Sequence, residues 1–343
     1  MSVNFTATAT DDGHGQRIFM RIQEAYDIIK QDLKDVEHEF RKNLDSDVSL
    51  IKKVGEYILN NGGKRLRPSL LLLSAKLCGY QGDRHIPLAA VVEFIHTATL
   101  LHDDVIDNAS MRRGKAAANT LWGNGASILI GDFLFSKSFS LTVDDGDLRI
   151  LKVLSGTTTR MAEGEVLQLL KGCDVKATER DCMAVITNKT ASLISAACQI
   201  GGILGKVPVE KEKALARYGM DLGIAFQLVD DCLDYTLNNE ELGKTMGNDL
   251  REGKITLPLI HTIKDTTSTE REEILAAIEA NDLKDPQLLS VVNLINKYKG
   301  MEYTLSRARQ HVEDAKACLN VFEPNIERTA LLALADYVVE RTY

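Results

Sequence analysis

Two short runs of aspartates carry the chemistry open to this chain. Asp103, Asp104 and Asp107 form one run, with Arg112 and Arg113 just beyond it. Asp230, Asp231 and Asp234 form the other, with Gln227 just before it. Each has the pattern D-D-x-x-D and sits in apolar, helix-forming sequence. Carboxylates so spaced repel one another, and burying them adds a desolvation penalty. Gathering them twice calls for a compensating cation. Oxygen ligands without nearby cysteine pairs select a hard ion, so Mg²⁺ held jointly with a phosphate is the expected cofactor. A solvated helix face or a cap would explain one such run equally well. Two runs, each flanked by Leu, Val, Ile and Phe, argue against that reading.

Helical spacing sharpens the picture. At about 100° per residue, Asp103 and Asp107 fall roughly 40° apart, and His96 lies about 20° from Asp103. Gln227, Asp230, Asp231 and Asp234 follow i, i+3, i+4, i+7, again one face. Two such polar stripes facing each other would form a cavity with carboxylates at its rim. Arg112 and Arg113 could simply neutralise the first run. They also suit a diphosphate, because planar guanidinium groups grip phosphate oxygens in pairs.

Other polar residues admit two readings each. Lys64 and Arg67 follow Gly62-Gly63 and flank Pro68, which suits the first turn of a helix. That places them by a helix N-terminus, where an anion is favoured, or in an ordinary basic turn. His96 is either a core histidine or a ligand on the Asp103 stripe; His102 is off that stripe and reads as structural. Lys189-Thr190 interrupts an apolar segment, and the lysine either snorkels to the surface or meets a phosphate. Lys244 and Lys254 lie in a polar, glycine-containing stretch that is either a plain loop or a segment closing over a ligand.

The elements that must position these residues read as helices throughout. The chain has 343 residues but only six prolines, each near an apparent helix boundary. Helix-period segments run over 17–44, 48–60, 68–77, 87–108, 125–141, 147–170, 178–204 and 210–237. Shorter ones follow at 255–263, 268–279, 286–295, 301–319 and 324–340. Aromatics make up 6% of the chain, and no alternating strand pattern stands out. Pattern therefore argues for one all-α domain. Residues 1–16 are polar and are expected to be disordered, without a secretory signal. A net charge of −8 disfavours a general nucleic-acid surface. Six scattered cysteines without a C-x-x-C pair disfavour zinc and disulfides and fit a reducing cytoplasm. No run of apolar residues is long enough for a membrane span.

These residues resemble a known family. Phe94 to Asp107, followed by Arg112-Arg113-Gly114, resembles the first aspartate-rich motif of the trans-polyprenyl diphosphate synthases. Phe226 to Tyr235 is similar to the second. Gly62 to Pro68, Lys189-Thr190-Ala191 and Gly247 to Pro258 match further blocks. The likeness covers nearly all of the chain after Arg17 and is greatest to long-chain, octaprenyl-type bacterial enzymes.

The resemblance implies a single isoprenoid-synthase-type helical bundle over residues 17–343, built around a deep central cavity and paired as a homodimer. It implies that Asp103, Asp107 and Asp230 bind Mg²⁺, supported by Asp104, Asp231 and Asp234. Arg112, Lys189, Gln227 and Lys254, with Thr190 and Lys244 beside them, would hold an allylic diphosphate such as farnesyl diphosphate. Lys64, Arg67, His96 and Arg113 would hold isopentenyl diphosphate. The reaction implied is head-to-tail condensation to a long all-trans polyprenyl diphosphate, destined for a quinone side chain. Ala98 and Thr99 occupy positions tied to product length. Both are small, which either leaves the tunnel open to a product of about C40 or merely permits close helix packing. Thr99, one turn before Asp103, is expected to face the cavity. Two departures stand out: Cys232 replaces an aliphatic residue, and the tail is less basic than in some relatives.

Two competing enzyme classes and one non-enzymatic reading fit less well. Metal-dependent phosphohydrolysis needs several histidine ligands, and the second run has none nearby. Terpene cyclisation would not need the Lys64, Arg67 and His96 group. An inactive partner subunit would not need two complete aspartate runs.

Overall fold

The computed structural model describes residues 8–11, 17–236, 246–278, 280 and 283–340. Lys244 lies outside them. A ribbon opens the chain, with β1 (Thr8–Asp11) antiparallel to β2 (Arg17–Met20). Among the described residues, the regular structure after it is helical but for one hairpin of two-residue strands. Helices α1 (Ile22–Ile28), α2 (Lys30–Asn43) and α3 (Ser49–Asn60) come first. The helix expected over 17–44 therefore begins at Ile22 and is broken at Ile29, whose ψ of 15° leaves the helical region. Within the expected disordered segment 1–16, Thr8–Asp11 form a strand, and the other residues lie outside those described.

Helices α4 (Leu66–Leu77) and α5 (His85–Ile106) follow. Both are apolar nearly all round: Leu70 to Leu73 and Leu88 to Val92 are fully buried. Helices of that kind sit at the centre of a bundle. Strands β3 (Met111–Arg112) and β4 (Lys115–Ala116) make the small hairpin that the periodicity did not reveal. Next come α6 (Ala118–Trp122), α7 (Asn124–Asp145), α8 (Leu148–Lys171) and α9 (Glu179–Val185). A π-helical turn, Ile186–Ala191, leads into α10 (Ser192–Leu204). The single helix expected over 178–204 is thus interrupted where Lys189 and Thr190 lie.

Helix α11 (Val209–Leu233) carries the second aspartate run. It packs on α10 and the π turn, while α10 also packs on α4 and α8, and α5 packs on α4 and α7. Helices α12 (Asn248–Arg251), α13 (Leu257–Asp265), α14 (Ser268–Ile278) and α15 (Asp285–Lys297) gather a smaller core around Tyr235, Leu259, Ile274 and Val291. Helix α16 (Gly300–Cys318) lies along α11, and α17 (Ile326–Glu340) closes the bundle against α1, α4 and α16.

Helix α7 is, among the described residues, long and apolar enough by length and composition to cross a membrane, with a mean hydropathy of 1.3. That adds to the sequence reading, which found no such segment. Its buried stripe, including Ile130, Gly131 and Leu134, packs against α5, as in an ordinary bundle helix.

A candidate active site between two aspartate helices

Helix α5 delivers Asp103 and Asp104 in its last turn, with Asp107 as its C-cap. Helix α11 delivers Asp230 and Asp231, with Asp234 as its C-cap. Between them lies a cavity of about 230 Å³, lined by Asp103, Asp107 and Arg112 from one side and Gln227 and Asp231 from the other. Lys189, Thr190 and Lys254 complete its polar wall, and Leu100, Val185 and Ile186 are apolar parts of it. Of the second stripe, Gln227 and Asp231 line this cavity, whereas Asp230 and Asp234 are not among its lining residues.

The cations at this cavity are already paired. Lys189 Nζ lies 3.6 Å from Asp103 Oδ2 and 2.5 Å from Glu165 Oε2. Lys254 Nζ lies 2.7 Å from both Asp107 Oδ2 and Glu252 Oε2. The β3–β4 hairpin turns Arg112 back onto α5, where it meets Asp104 Oδ1 at 2.6 Å. Thr190 Oγ1 donates to Gln227 Oε1 at 2.9 Å, and Gln227 Nε2 donates to Asp231 Oδ1 at 2.9 Å. That chain fixes the Gln227 amide. Asp234 turns partly away: its carboxylate accepts the backbone N–H of Asp249 at 3.0 Å and anchors the start of α12.

Electrostatics mark the cavity as short of positive charge. Burial pushes Asp103 up to about 6, against the pull of Lys189 and with a further push from Glu165 and Asp107. Burial raises Asp231 well above the usual carboxylate range, and Asp249, Asp230 and Asp234 add to it. Among the described residues no three ligating side chains form a ready-made metal cluster. Crowded aspartates on facing helices still fit a hard divalent cation, which keeps waters and takes substrate phosphates as its remaining ligands.

A second cationic group lies beside the first. Arg65, the N-cap of α4, has a left-handed φ of 50° and pairs with Glu93 at 2.5 Å. Arg67, in the first turn of α4, has a buried Nε with no hydrogen-bond partner. Burial pushes the Arg67 guanidinium down to about 10, with Glu93 and Asp230 pulling up and Arg113 pushing down. Asp230 is thus near enough to act on Arg67. An orphaned buried donor costs about 1–3 kcal/mol, and an anion would relieve it. Arg113 donates to the Gly62 carbonyl, which joins the arginine pair to the glycine turn. Lys64 places its ammonium 5.3 Å from the Tyr337 ring, and its carbonyl accepts from Tyr26 at 2.7 Å. His96 is held well below the ordinary histidine value by burial and by Arg67, Arg113, Arg112 and Arg65. It therefore stands neutral among arginines.

Ala98 is fully buried in the core. Thr99 is half-buried and its hydroxyl donates to the His96 carbonyl at 2.8 Å, while its neighbour Leu100 lines the cavity wall. His102 bridges α5 and α7, with Nε2 3.2 Å from the Ile128 carbonyl, in keeping with a structural role. Glu165, Glu252 and Asp249 were missed by spacing. Glu165 reads as an ordinary helix-surface charge, and the other two sit in a polar loop.

Fold and site together define the isoprenoid-synthase type of helical bundle. Residues 48–295 match the polyprenyl synthetase family. The chain is 44% identical over 322 residues to the octaprenyl diphosphate synthase of Escherichia coli (strain K12), covering 94% of this chain and 99% of that one. It is similar, at a TM-score of 0.91 and 40% identity, to the crystal structure of a polyprenyl synthase from Caulobacter crescentus CB15 complexed with calcium and isoprenyl diphosphate, covering 94% and 98%. The decaprenyl diphosphate synthase of Rhodobacter capsulatus is similar at 0.89 and 41%, covering 94% and 99%. This chain belongs to the polyprenyl synthetase family.

Proposed function

We propose that this chain is a Mg²⁺-dependent trans-prenyltransferase that condenses isopentenyl diphosphate head-to-tail with an allylic diphosphate to a long all-trans polyprenyl diphosphate. One observation carries the reading: two aspartate helices and two paired lysines share a cavity, and a separate group of arginines with an orphaned buried donor adjoins it. Two cationic groups suit two diphosphates. The octaprenyl and decaprenyl synthases to which the chain is similar support a long product.

Asp103, Asp107 and Asp230 would hold Mg²⁺. When bound, the metal draws negative charge off the departing diphosphate. Lys189, Lys254 and Arg112 hold the allylic diphosphate and take up charge as its C–O bond ionises. Gln227, oriented by Thr190 and Asp231, offers a polar contact at the same wall. Lys64, Arg67, His96 and Arg113 hold isopentenyl diphosphate so that its double bond lies against the allylic carbon. Attack of the isopentenyl double bond on the allylic cation forms the new C–C bond, the released diphosphate takes the proton lost from the adjacent carbon to restore an allylic diphosphate, and the longer chain reacts again.

Partners and setting follow from the same reading. The chain works as a homodimer, for which the exposed apolar residues Ile128, Leu129 and Val143 on α7 offer a face. Its free cysteines fit a reducing cytoplasm, and its product serves a quinone side chain. The test is incubation of the purified chain with Mg²⁺, farnesyl diphosphate and labelled isopentenyl diphosphate, followed by chromatography of the dephosphorylated products. Labelled octaprenyl-range alcohols are expected. Absence of any labelled prenol would refute the proposal.

A further inference from the structure

Two glutamates outside the aspartate runs hold the two lysines of the cavity. The arrangement occurs twice: one lysine, one carboxylate of the first run and one carboxylate from elsewhere. Lys189 is nearer Glu165, at 2.5 Å, than Asp103, at 3.6 Å. Lys254 is equally near Asp107 and Glu252, at 2.7 Å. Glu165 comes from α8, next to Gly164, where that helix touches the backbone of the π turn bearing Lys189. Glu252 is the C-cap of α12, two residues before Lys254, and also accepts from Asn248 Nδ2 at 2.6 Å. Both pairs are mostly shielded from solvent; the side-chain exposures of the two glutamates are 22% and 18%.

A carboxylate beside a diphosphate site opposes anion binding, the more so away from bulk water. Two of them need a reason. Lysine is a flexible point charge on a four-carbon stem and does not hold a direction by itself. Once Asp103 and Asp107 turn to a divalent cation, each lysine keeps one partner only, and that partner is the glutamate. We propose that Glu165 and Glu252 are positioning residues, which hold the ammonium groups of Lys189 and Lys254 toward the allylic diphosphate when the aspartates are engaged. This rests on the function proposed above and adds two residues to it.

The test is a pair of double-mutant cycles, Glu165→Gln with Lys189→Met and Glu252→Gln with Lys254→Met. Each variant is read by steady-state kinetics, by calorimetry of Mg²⁺–pyrophosphate binding and by thermal melting. Each glutamine variant is expected to lose about tenfold in kcat/KM for the allylic substrate. The KM for isopentenyl diphosphate and the melting temperature should stay near wild type. Pyrophosphate binding should weaken in step. In the methionine background the same glutamine change should cost less than about twofold, because the residue it acts through is gone. Glu165→Asp should keep more activity than Glu165→Gln. Wild-type turnover in a glutamine variant, or equal losses in both backgrounds, removes that glutamate from the role. If Glu165→Gln does not fold, the Glu252 cycle decides. If the wild-type chain makes no product, the proposed function fails, and the calorimetric cycle alone decides whether the glutamates act through the lysines.

Discussion

Replacing Gly164 by alanine should disarm the site from a position that touches no substrate. Helix α8 meets the π turn there. A Cβ at residue 164 would lie 2.7 Å from the backbone N of Lys189, 2.9 Å from Asn188 Cβ and 3.1 Å from the Asn188 carbonyl carbon. Two of these atoms are backbone and cannot swing aside. Reaching ordinary carbon contact needs about 1 Å of separation between α8 and the turn. Overpacking of this kind costs about 1–3 kcal/mol, and better helix propensity returns about 1 kcal/mol. The net loss of up to about 2 kcal/mol should lower the melting temperature by up to about 3 °C. Activity should suffer more, because a displacement of about 1 Å at a catalytic group costs up to about 10²-fold. Gly156→Ala is the control. It lies on the same helix, and its new Cβ would find nothing nearer than Arg160 Nη1 at 3.7 Å. That variant should gain up to about 1 kcal/mol and keep its turnover. The assays are thermal melting and labelled-product formation on both proteins. Wild-type melting and turnover in Gly164→Ala would refute the close-approach argument.

Other expectations follow from the same geometry. Asp103→Ala and Asp230→Ala should each lower turnover by about 10³-fold or more with the helical circular dichroism intact; near-normal rates at saturating Mg²⁺ would contradict the metal assignment. Arg67→Ala should raise the KM for isopentenyl diphosphate more than that for the allylic substrate, and Lys189→Ala the reverse; equal shifts in both would dissolve the partition. Burial holds Asp103 near 6 in the metal-free chain, so a proton competes with metal below that pH. Mg²⁺ affinity measured by calorimetry should fall by up to about tenfold per pH unit there, and a flat profile from pH 7 to 5 would exclude Asp103 as a ligand. Ala98→Phe or Thr99→Phe should shorten the products, since Ala98 is fully buried and its surroundings cannot take a ring; an unchanged product distribution from both soluble, active variants would take the two positions out of length control.

The aspartate runs, their shared faces and the all-helical class could be read from the chain alone. Each is a local pattern: i, i+3, i+4 spacing lies within a few residues, and the rigid helix turns spacing into direction. The placement of Arg67 at a helix start was legible for the same reason, through the glycines and Pro68. Tertiary packing decided the rest. Lys254 meets Asp107 across 147 residues, and no periodicity joins positions so far apart. Sequence left Lys189 open between surface and phosphate. Its place was decided by a π turn that packs against α8, α10 and α11. The Arg112 hairpin is too short to leave an alternating pattern. The bond of the Thr99 hydroxyl to its own helix carbonyl, and the place of Leu100 in the wall, are likewise read only from the structure. Glu165 and Glu252 look like surface charges in the sequence because nothing local distinguishes a glutamate facing water from one facing a lysine. That difference is set by which helix lies opposite, and the opposing helix is chosen by burial of the whole core.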